Sequence, residues 1–243
     1  MMIFNPNCAQ NRHYLTCLII LSLTIACRNI EPPLHNQSEG PKGLSKYQDS
    51  IQDNVFLNVK GFFVRDSFTL YRLFSGATIL TDGLQTPLYV DDDFSSNQVI
   101  EDFNGDGFDD IRFEYLAPVP GVDRLLLYCQ DESKFMEVEN FPNFASAKRI
   151  SRFNCYFSYS KAGCADSDWI SKLFIIDDFH CVELGRIYGS GCKGNSWNGI
   201  VIHKTMNVPK VLIDSIPRPP GYYQDKFEFI ETYWNENADK FVN

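Results

Sequence analysis

The segment Asp102–Asp110 is the most informative stretch of this sequence, because it predicts a reversal of the chain beside a strand-like run. It reads D-F-N-G-D-G-F-D-D, with carboxylate or amide side chains at its first, third, fifth and ninth positions. Gly107 at the sixth position frees the backbone for a sharp turn. The run that follows, Ile111–Tyr115, alternates apolar and polar residues, which is typical of a half-buried strand. The segment therefore predicts a strand-flanked loop in a β-rich fold.

The spacing of oxygen atoms in this loop indicates calcium as its ligand. Calcium takes about six to eight oxygen ligands, and tight loops with alternating carboxylates supply them. The helix–loop–helix calcium motif needs a bidentate Glu at its twelfth position, where this chain has Phe113. An acidic turn without metal is the alternative, because Asn, Asp and Gly are ordinary turn residues. The predicted ligands are the side chains of Asp102, Asn104, Asp106 and Asp110 and the carbonyl of Phe108.

The first 26 residues have the composition of a secretory signal peptide. Arg12 is the only charged residue before Arg28, and the apolar run Tyr14–Ala26 is shorter than a membrane-spanning helix of about 20 residues. The run closes with Leu-Thr-Ile-Ala before Cys27, which resembles a bacterial lipobox. The resemblance implies cleavage before Cys27 and lipidation of its thiol. An ordinary signal peptide that contains a cysteine is the alternative.

Residues 27–49 predict a flexible tether behind the lipidated cysteine. Prolines and glycines recur there among polar residues, and such a composition cannot bury enough apolar surface to become ordered. Residues 50–243 remain as a single folded domain. We therefore expect the protein in the bacterial cell envelope, lipid-anchored at the periplasmic face or in the outer membrane, with the lipid as its only membrane contact.

The acidic charge balance narrows the class of partner. The chain carries 31 acidic against 22 basic residues, a formal net charge of −9, and its sequence has no basic stripe. This argues against nucleic acid, because phosphate recognition depends on clustered Lys and Arg side chains. A cationic protein is favoured by long-range attraction, and solubility alone is the alternative reason for the charge.

The common enzyme motifs do not occur in this sequence. The nucleophile elbow G-x-S-x-G is missing, and the glycines of Gly189–Gly194 are not in phosphate-loop order. His180 and His203 fall on separate predicted strands. Abundant carboxylates leave a glycosidase pair open without supporting it. The sequence therefore predicts that the protein is not an enzyme.

Five cysteines lie in the predicted domain, so at least one is free or pairs outside it. Export would place them where disulfides persist. Cys164 and Cys192 both lie in glycine-containing loops, and we predict a disulfide between them. Cys155 and Cys181 lie within strand-like runs, where a free cysteine behaves as a small buried hydrophobe.

Short alternating runs between turn residues predict an all-β domain with antiparallel strands, either propeller-like or a sandwich or barrel. Only one complete copy of the acidic loop occurs, which argues against a full propeller with one loop in every blade. The predicted strands are Val55–Val64, Ser67–Leu73, Pro87–Val90, Ile111–Leu116, Arg124–Cys129, Lys134–Val138, Arg152–Tyr159, Ser171–Ile176, His180–Tyr188, Gly199–Lys204, Lys210–Ile213 and Lys226–Tyr233.

The order of these elements resembles a family of calcium-binding periplasmic lipoproteins. The resemblance extends over about residues 99–204: Val99–Asp102 leads into a loop similar to those of FG-GAP repeats, Leu125–Tyr128 and Tyr156–Tyr159 follow, and a glycine-containing loop precedes Trp169. Some members of this family are immunity proteins that inhibit lysozyme-like effectors. Their fold is similar to that of the periplasmic inhibitors of invertebrate-type lysozyme.

The resemblance implies a protein that plugs the cleft of a lysozyme-like hydrolase with a projecting loop. A carbohydrate- or surface-binding module without inhibitory activity is the alternative function, and ordinary hairpin turns are the alternative interpretation of the loops. The candidate partner-binding residues are Tyr159, Ser160, Lys161, Asp166 and Asp168 in a first loop and Tyr188 and Ser190 in a second.

Overall fold

The computed structural model describes residues 55–62, 67–150, 152–206 and 210–242, with the backbone alone for residues 55–62 and 67. The predicted signal peptide (1–26), the lipidation site Cys27 and the tether (27–49) lie outside the described residues. None of the helices in the described part of the chain has the length and apolar character needed to span a bilayer.

Two four-stranded sheets come first along the chain, and each is an antiparallel meander in sequence order. The first sheet consists of β1 (Val55–Phe62), β2 (Ser67–Leu73), β3 (Thr78–Asp82) and β4 (Pro87–Asp91). The second sheet consists of β5 (Ser95–Glu101), β6 (Asp110–Tyr115), β7 (Asp123–Cys129) and β8 (Lys134–Glu137).

A larger, seven-stranded sheet follows in the order β15-β14-β13-β12-β10-β9, with β11 paired to β12. All its strand pairs are antiparallel. The all-β, antiparallel prediction is therefore confirmed, as three open sheets packed in sandwich fashion. The strands are β9 (Lys148–Ile150), β10 (Cys155–Phe157), β11 (Ser160–Gly163), β12 (Asp168–Asp177), β13 (His180–Ser190), β14 (Gly199–Lys204) and β15 (Val211–Pro217).

The C-terminal segment corrects one prediction, because the run Lys226–Tyr233 is helical and not a strand. It belongs to α1 (Lys226–Asn237), which is followed by a short second helix, α2 (Asp239–Val242). The buried residues Lys226, Ile230 and Trp234 recur every four positions, which is the period of a helix face. The Trp234 indole donates a hydrogen bond of 2.8 Å to the Ser171 hydroxyl of β12, and this contact holds the helix on the large sheet.

Three apolar clusters join these elements into one body. The first two sheets pack through residues such as Leu70, Leu80 and Phe113. The large sheet packs against α1 and α2 through Trp169, Leu173, Ile187, Trp234 and Phe241, among others. The third cluster lies between the second and third sheets and includes Phe103, Leu125, Phe141, Tyr156 and Phe174. Because Phe103 belongs to the acidic loop, this cluster fixes the loop against the large sheet.

Candidate functional site

The acidic loop is the turn of the hairpin between β5 and β6, as the spacing predicts. Glu101 pairs with Asp110 as the last rung of the ladder before the chain reverses. Gly105 and Gly107 have φ values of 73° and 93°, which lie in the left-handed region that glycine adopts without strain. The two glycines therefore permit the tight curvature that brings the loop side chains inward.

The loop side chains are turned back onto the loop backbone. The Asp106 N–H donates to both Asp102 Oδ1 and Asn104 Oδ1, each at 3.0 Å. The Gly107 N–H donates to Asp102 Oδ2 at 3.0 Å, and the Phe108 N–H donates to Asp106 Oδ1 at 2.9 Å. Oxygen atoms from the first and third positions therefore converge on one backbone nitrogen, and the fifth-position side chain lies beside them.

Asp110 is the most deeply placed acid of the loop, with 0% of its surface exposed. Its carboxylate accepts backbone hydrogen bonds from Phe103 at 3.0 Å, Asn104 at 3.3 Å and Tyr128 at 2.9 Å. Burial raises the pKa of Asp110 to about 8, and the nearby Asp106 carboxylate adds to the rise. Burial and the neighbouring Asp102 also raise the pKa of Asp106. Closely spaced acids that resist ionisation are the electrostatic condition that a bound cation relieves.

The loop provides the donor set of an oxygen-liganded cation, although the side chains are not in coordinating positions. Among the described residues no three His, Cys, Asp or Glu side chains form a group that could hold a metal ion. The Asn104 amide donates to Asp106 Oδ2 at 2.8 Å, so these two side chains bond to each other. A carboxylate has about four lone-pair positions, and Asp102 uses one on each oxygen. Asp102, Asn104, Asp106 and Asp110 with the Phe108 carbonyl would hold the ion after small rotations of these side chains.

Two polar groups lie beneath the loop, and no sequence pattern pointed to either of them. The Phe103 ring stacks on the Tyr156 ring with centroids 5.1 Å apart and an interplanar angle of 6°. The Tyr156 hydroxyl and the Arg149 Nε are buried and have no hydrogen-bond partner in the part of the chain that the structure describes. Burial raises the pKa of Tyr156, so this hydroxyl stays protonated. Both residues belong to the large sheet and approach the loop only through the fold.

The two predicted partner-binding segments meet at one end of the large sheet. Cys164 and Cys192 form a disulfide, which is the pair that the sequence favours. Asp168 Oδ1 accepts the N–H groups of Gly191 at 2.8 Å and Cys192 at 3.1 Å, so it binds the second segment to the base of the first. We call residues 160–167 and 191–198 together the tip.

Several candidate partner-binding side chains use their polar atoms inside the protein. Asp166 accepts hydrogen bonds from the Tyr159 hydroxyl and from the Lys226 ammonium. The Ser190 hydroxyl accepts from the Asn195 amide at 2.6 Å and donates to the Trp197 carbonyl at 3.2 Å. These contacts, with those of Asp168, give the four candidates a role in shaping the tip.

The remaining candidates, Ser160, Lys161 and Tyr188, differ in their position. Lys161 is exposed on β11, whereas Ser160 and Tyr188 are half-buried within strands. The segment Tyr188–Ser190 is not a loop, because β13 continues to Ser190 and the turn begins after it. Lys161 is therefore the candidate with the freest polar group at the tip.

The backbone at the tip is held in a strained conformation. Cys164, Ala165 and Asp166 have consecutive φ values of 51°, 50° and 70°, although none of them is glycine. A non-glycine residue in the left-handed region costs on the order of 1 kcal/mol, and such strain persists only when surrounding contacts enforce it. Here the disulfide and the contacts of Asp166 enforce it, so the backbone of this turn is constrained by the surrounding structure.

Comparisons with known proteins assign no family to this chain. No protein-family model matches it, and no curated protein matches it. Among solved structures it is similar to one described as a Xanthomonas type IV secretion system related protein, with 12% sequence identity and a TM-score of 0.39. The similarity covers 66% of this chain and 86% of that chain.

Proposed function

We propose that this protein is an exported, lipid-anchored binding protein whose β domain is stabilised by one calcium ion, and that its tip binds and inhibits a lysozyme-like peptidoglycan hydrolase. The observation that carries the calcium part is the convergence of Asp102 and Asn104 oxygens on the Asp106 backbone nitrogen. This arrangement draws the alternate oxygen ligands of the loop to one point, beside the buried Asp110.

Calcium would supply positive charge to a loop whose acids otherwise repel one another. Asp102, Asp106 and Asp110 would provide carboxylate oxygens, Asn104 its amide oxygen and Phe108 its carbonyl. Because the loop closes the β5–β6 hairpin and inserts Phe103 into the third apolar cluster, an ordered loop also stabilises the packing of the second sheet on the large sheet.

The tip supports the inhibitory part of the proposal by its rigidity and its charge. Lys161 and Lys193 are exposed on its two segments and make no ion pair within the described residues. The chain as a whole has a net charge of −9, so two unpaired cations beside one disulfide distinguish this end of the molecule. A lysozyme-like cleft contains two catalytic carboxyl groups, which a lysine on a rigid projection would pair with.

A muramidase inhibition assay with the purified full chain tests this function. We expect dose-dependent loss of cell-wall lysis, and inhibition about tenfold weaker when Lys161→Glu and Lys193→Glu are combined, because like charges then face each other. Lys210→Glu is the matched control. Lys210 is an exposed lysine that precedes β15, at the end of the large sheet opposite to the tip. Absence of inhibition over a panel of lysozyme types, or equal loss in the Lys210 variant, would contradict the proposal.

A carbohydrate-binding module is the second candidate, and exposed aromatic rings in and near the tip favour it. Trp197 is 38% exposed, Tyr222 is 43% exposed and Phe227 is 52% exposed. Aromatic side chains offer flat apolar faces to a sugar ring, and Tyr and Trp add a polar group. Retention of the protein on insoluble peptidoglycan without inhibition of lysis would support this function over the first, and Trp197→Ala should then reduce the retention.

A further inference from the structure

We propose that Arg149 sets the calcium affinity of the acidic loop, because its positively charged side chain lies against the loop and opposes the arriving ion. This inference rests on the proposed calcium site. It assigns a role to a residue that lies outside the loop in the sequence and belongs to a different sheet.

The position of Arg149 is defined by its strand and by its contact with Gly105. Arg149 lies on β9 and pairs with Tyr156 of β10, so its backbone belongs to the large sheet. A β-carbon added to Gly105 would overlap the terminal nitrogen atoms of the Arg149 guanidinium, which therefore lies directly on the loop backbone. No side chain larger than that of glycine fits at position 105 while Arg149 remains there.

The Arg149 side chain makes no ion pair in the described part of the protein. A guanidinium has five N–H donors, but none of the hydrogen bonds or ion pairs of the described residues involves this one, and its Nε is buried without a partner. By contrast, Arg112 and Arg124 each bond to two or more carboxylates. Arg149 therefore acts on the acids of the loop by its charge at short range and not through a hydrogen bond or an ion pair.

The field of this charge falls on the predicted ligands. The positive charge of Arg149 lowers the pKa of Asp106, while burial, the largest effect, raises it. A cation that favours the ionised acids of the calcium-free loop also repels a second cation at the same place. Arg149 thus stabilises the calcium-free protein and weakens calcium binding, so the affinity is lower than the loop sequence alone would give.

Calorimetric titration of the full chain with calcium tests the inference. We expect Arg149→Met, which keeps the aliphatic stem, and Arg149→Gln, which keeps a polar end group, each to bind calcium roughly tenfold more tightly than the wild type. We also expect both variants to melt at a lower temperature in chelator. Arg149→Lys keeps the charge and should bind within about twofold of the wild type. Arg152→Met is the matched control, because Arg152 is an exposed arginine three residues away that lies over Phe153.

The outcomes separate this inference from the calcium site itself. If the wild type binds calcium but the neutral variants bind it with unchanged or lower affinity, the proposed role of Arg149 is wrong. The proposed calcium site would then still be supported. If Arg152→Met tightens binding equally, the effect is one of net charge and the inference is also wrong. If neither the wild type nor any variant binds calcium, both the proposed calcium site and the proposed role of Arg149 are wrong. Should Arg149→Met fail to fold, Arg149→Gln decides between these outcomes.

Discussion

The Lys226 ammonium lies 2.6 Å from a carboxylate oxygen of Asp166, although 60 residues separate them in the chain. It also donates to the Asp166 carbonyl at 3.0 Å, and 0% of Lys226 is exposed. The Tyr222 ring centroid is 4.1 Å from this ammonium, so an aromatic face completes its surroundings. A buried cation on α1 thus holds the strained turn of the tip, and the helix and the tip form one structural unit.

We predict that Lys226→Met destabilises the protein by about 3 kcal/mol or more, because it leaves the Asp166 carboxylate without its counter-ion. Urea unfolding measures this change. The double variant Lys226→Met with Asp166→Asn should recover part of the loss, since no uncompensated charge then remains. A double variant less stable than Lys226→Met alone would contradict the prediction that the pair is coupled.

The calcium loop gives a second prediction, in which Asp106→Ala abolishes the stabilisation of the protein by calcium. Thermal unfolding in calcium and in chelator measures the effect, and calcium at about 100 times its dissociation constant should add about 2.7 kcal/mol to the wild type. Asp109→Ala is the control, because Asp109 belongs to the same loop but is not a predicted ligand. Equal melting of the wild type in calcium and in chelator would refute the site.

The reversal at this loop and the strand β6 that follows it were predictable because their signals are local. Turn residues fix the reversal, and Ile111 and Phe113 alternate with polar neighbours in the strand that follows. Arg149 and Tyr156 could not be predicted as neighbours of the loop, because they approach it from another sheet. Their position depends on the packing of Phe103 into the third apolar cluster, and no pattern within a short window contains that information.

Elsewhere the alternation of residues was misleading or missing. Phe227 and Phe229 alternate with Lys226 and Glu228, which is the pattern expected of a strand. The helical packing on the large sheet instead involves Trp234 of α1 and Phe241 of α2. The strand Thr78–Asp82 was not predicted because its sequence, T-I-L-T-D, does not alternate polar and apolar residues, and its first four residues are all buried. The strand Ser95–Glu101 was not predicted because its first half is polar.

Asp110 gives a prediction for pH in the absence of calcium. Its pKa is raised from 3.8 to about 8 by burial first and by Asp106, so the folded protein holds this proton more tightly than the unfolded chain. Its contribution to stability is therefore complete below pH 3.8 and is lost as the pH rises through about 8. The slope is at most about 1.4 kcal/mol per pH unit.

Urea unfolding in chelator, at pH values between about 5 and about 8, measures this slope. Asp110→Asn should remove the contribution of Asp110 to the dependence of stability on pH, because an amide does not titrate. This holds even if the variant is less stable than the wild type at every pH. Asp109→Asn should leave the slope as it is in the wild type. Saturating calcium should flatten the wild-type curve, since the ion favours the ionised carboxylate. An equally steep curve for Asp110→Asn would assign the pH dependence to other groups.

The disulfide gives the last prediction, which joins stability to function at the tip. Cys164 and Cys192 are 28 residues apart, and a cross-link of that span contributes about 3 to 4 kcal/mol through the entropy of the unfolded chain. The double variant Cys164→Ser with Cys192→Ser should lose about this much in urea unfolding. Because the strained residues Cys164–Asp166 would then be held only by the contacts of Asp166 with Tyr159 and Lys226, we also expect weaker inhibition at protein concentrations where the variant is fully folded. The variant Cys155→Ser is the control, since Cys155 is a buried free thiol away from the tip. A folded double variant that inhibits as well as the wild type would show that rigidity of the tip is not required for binding.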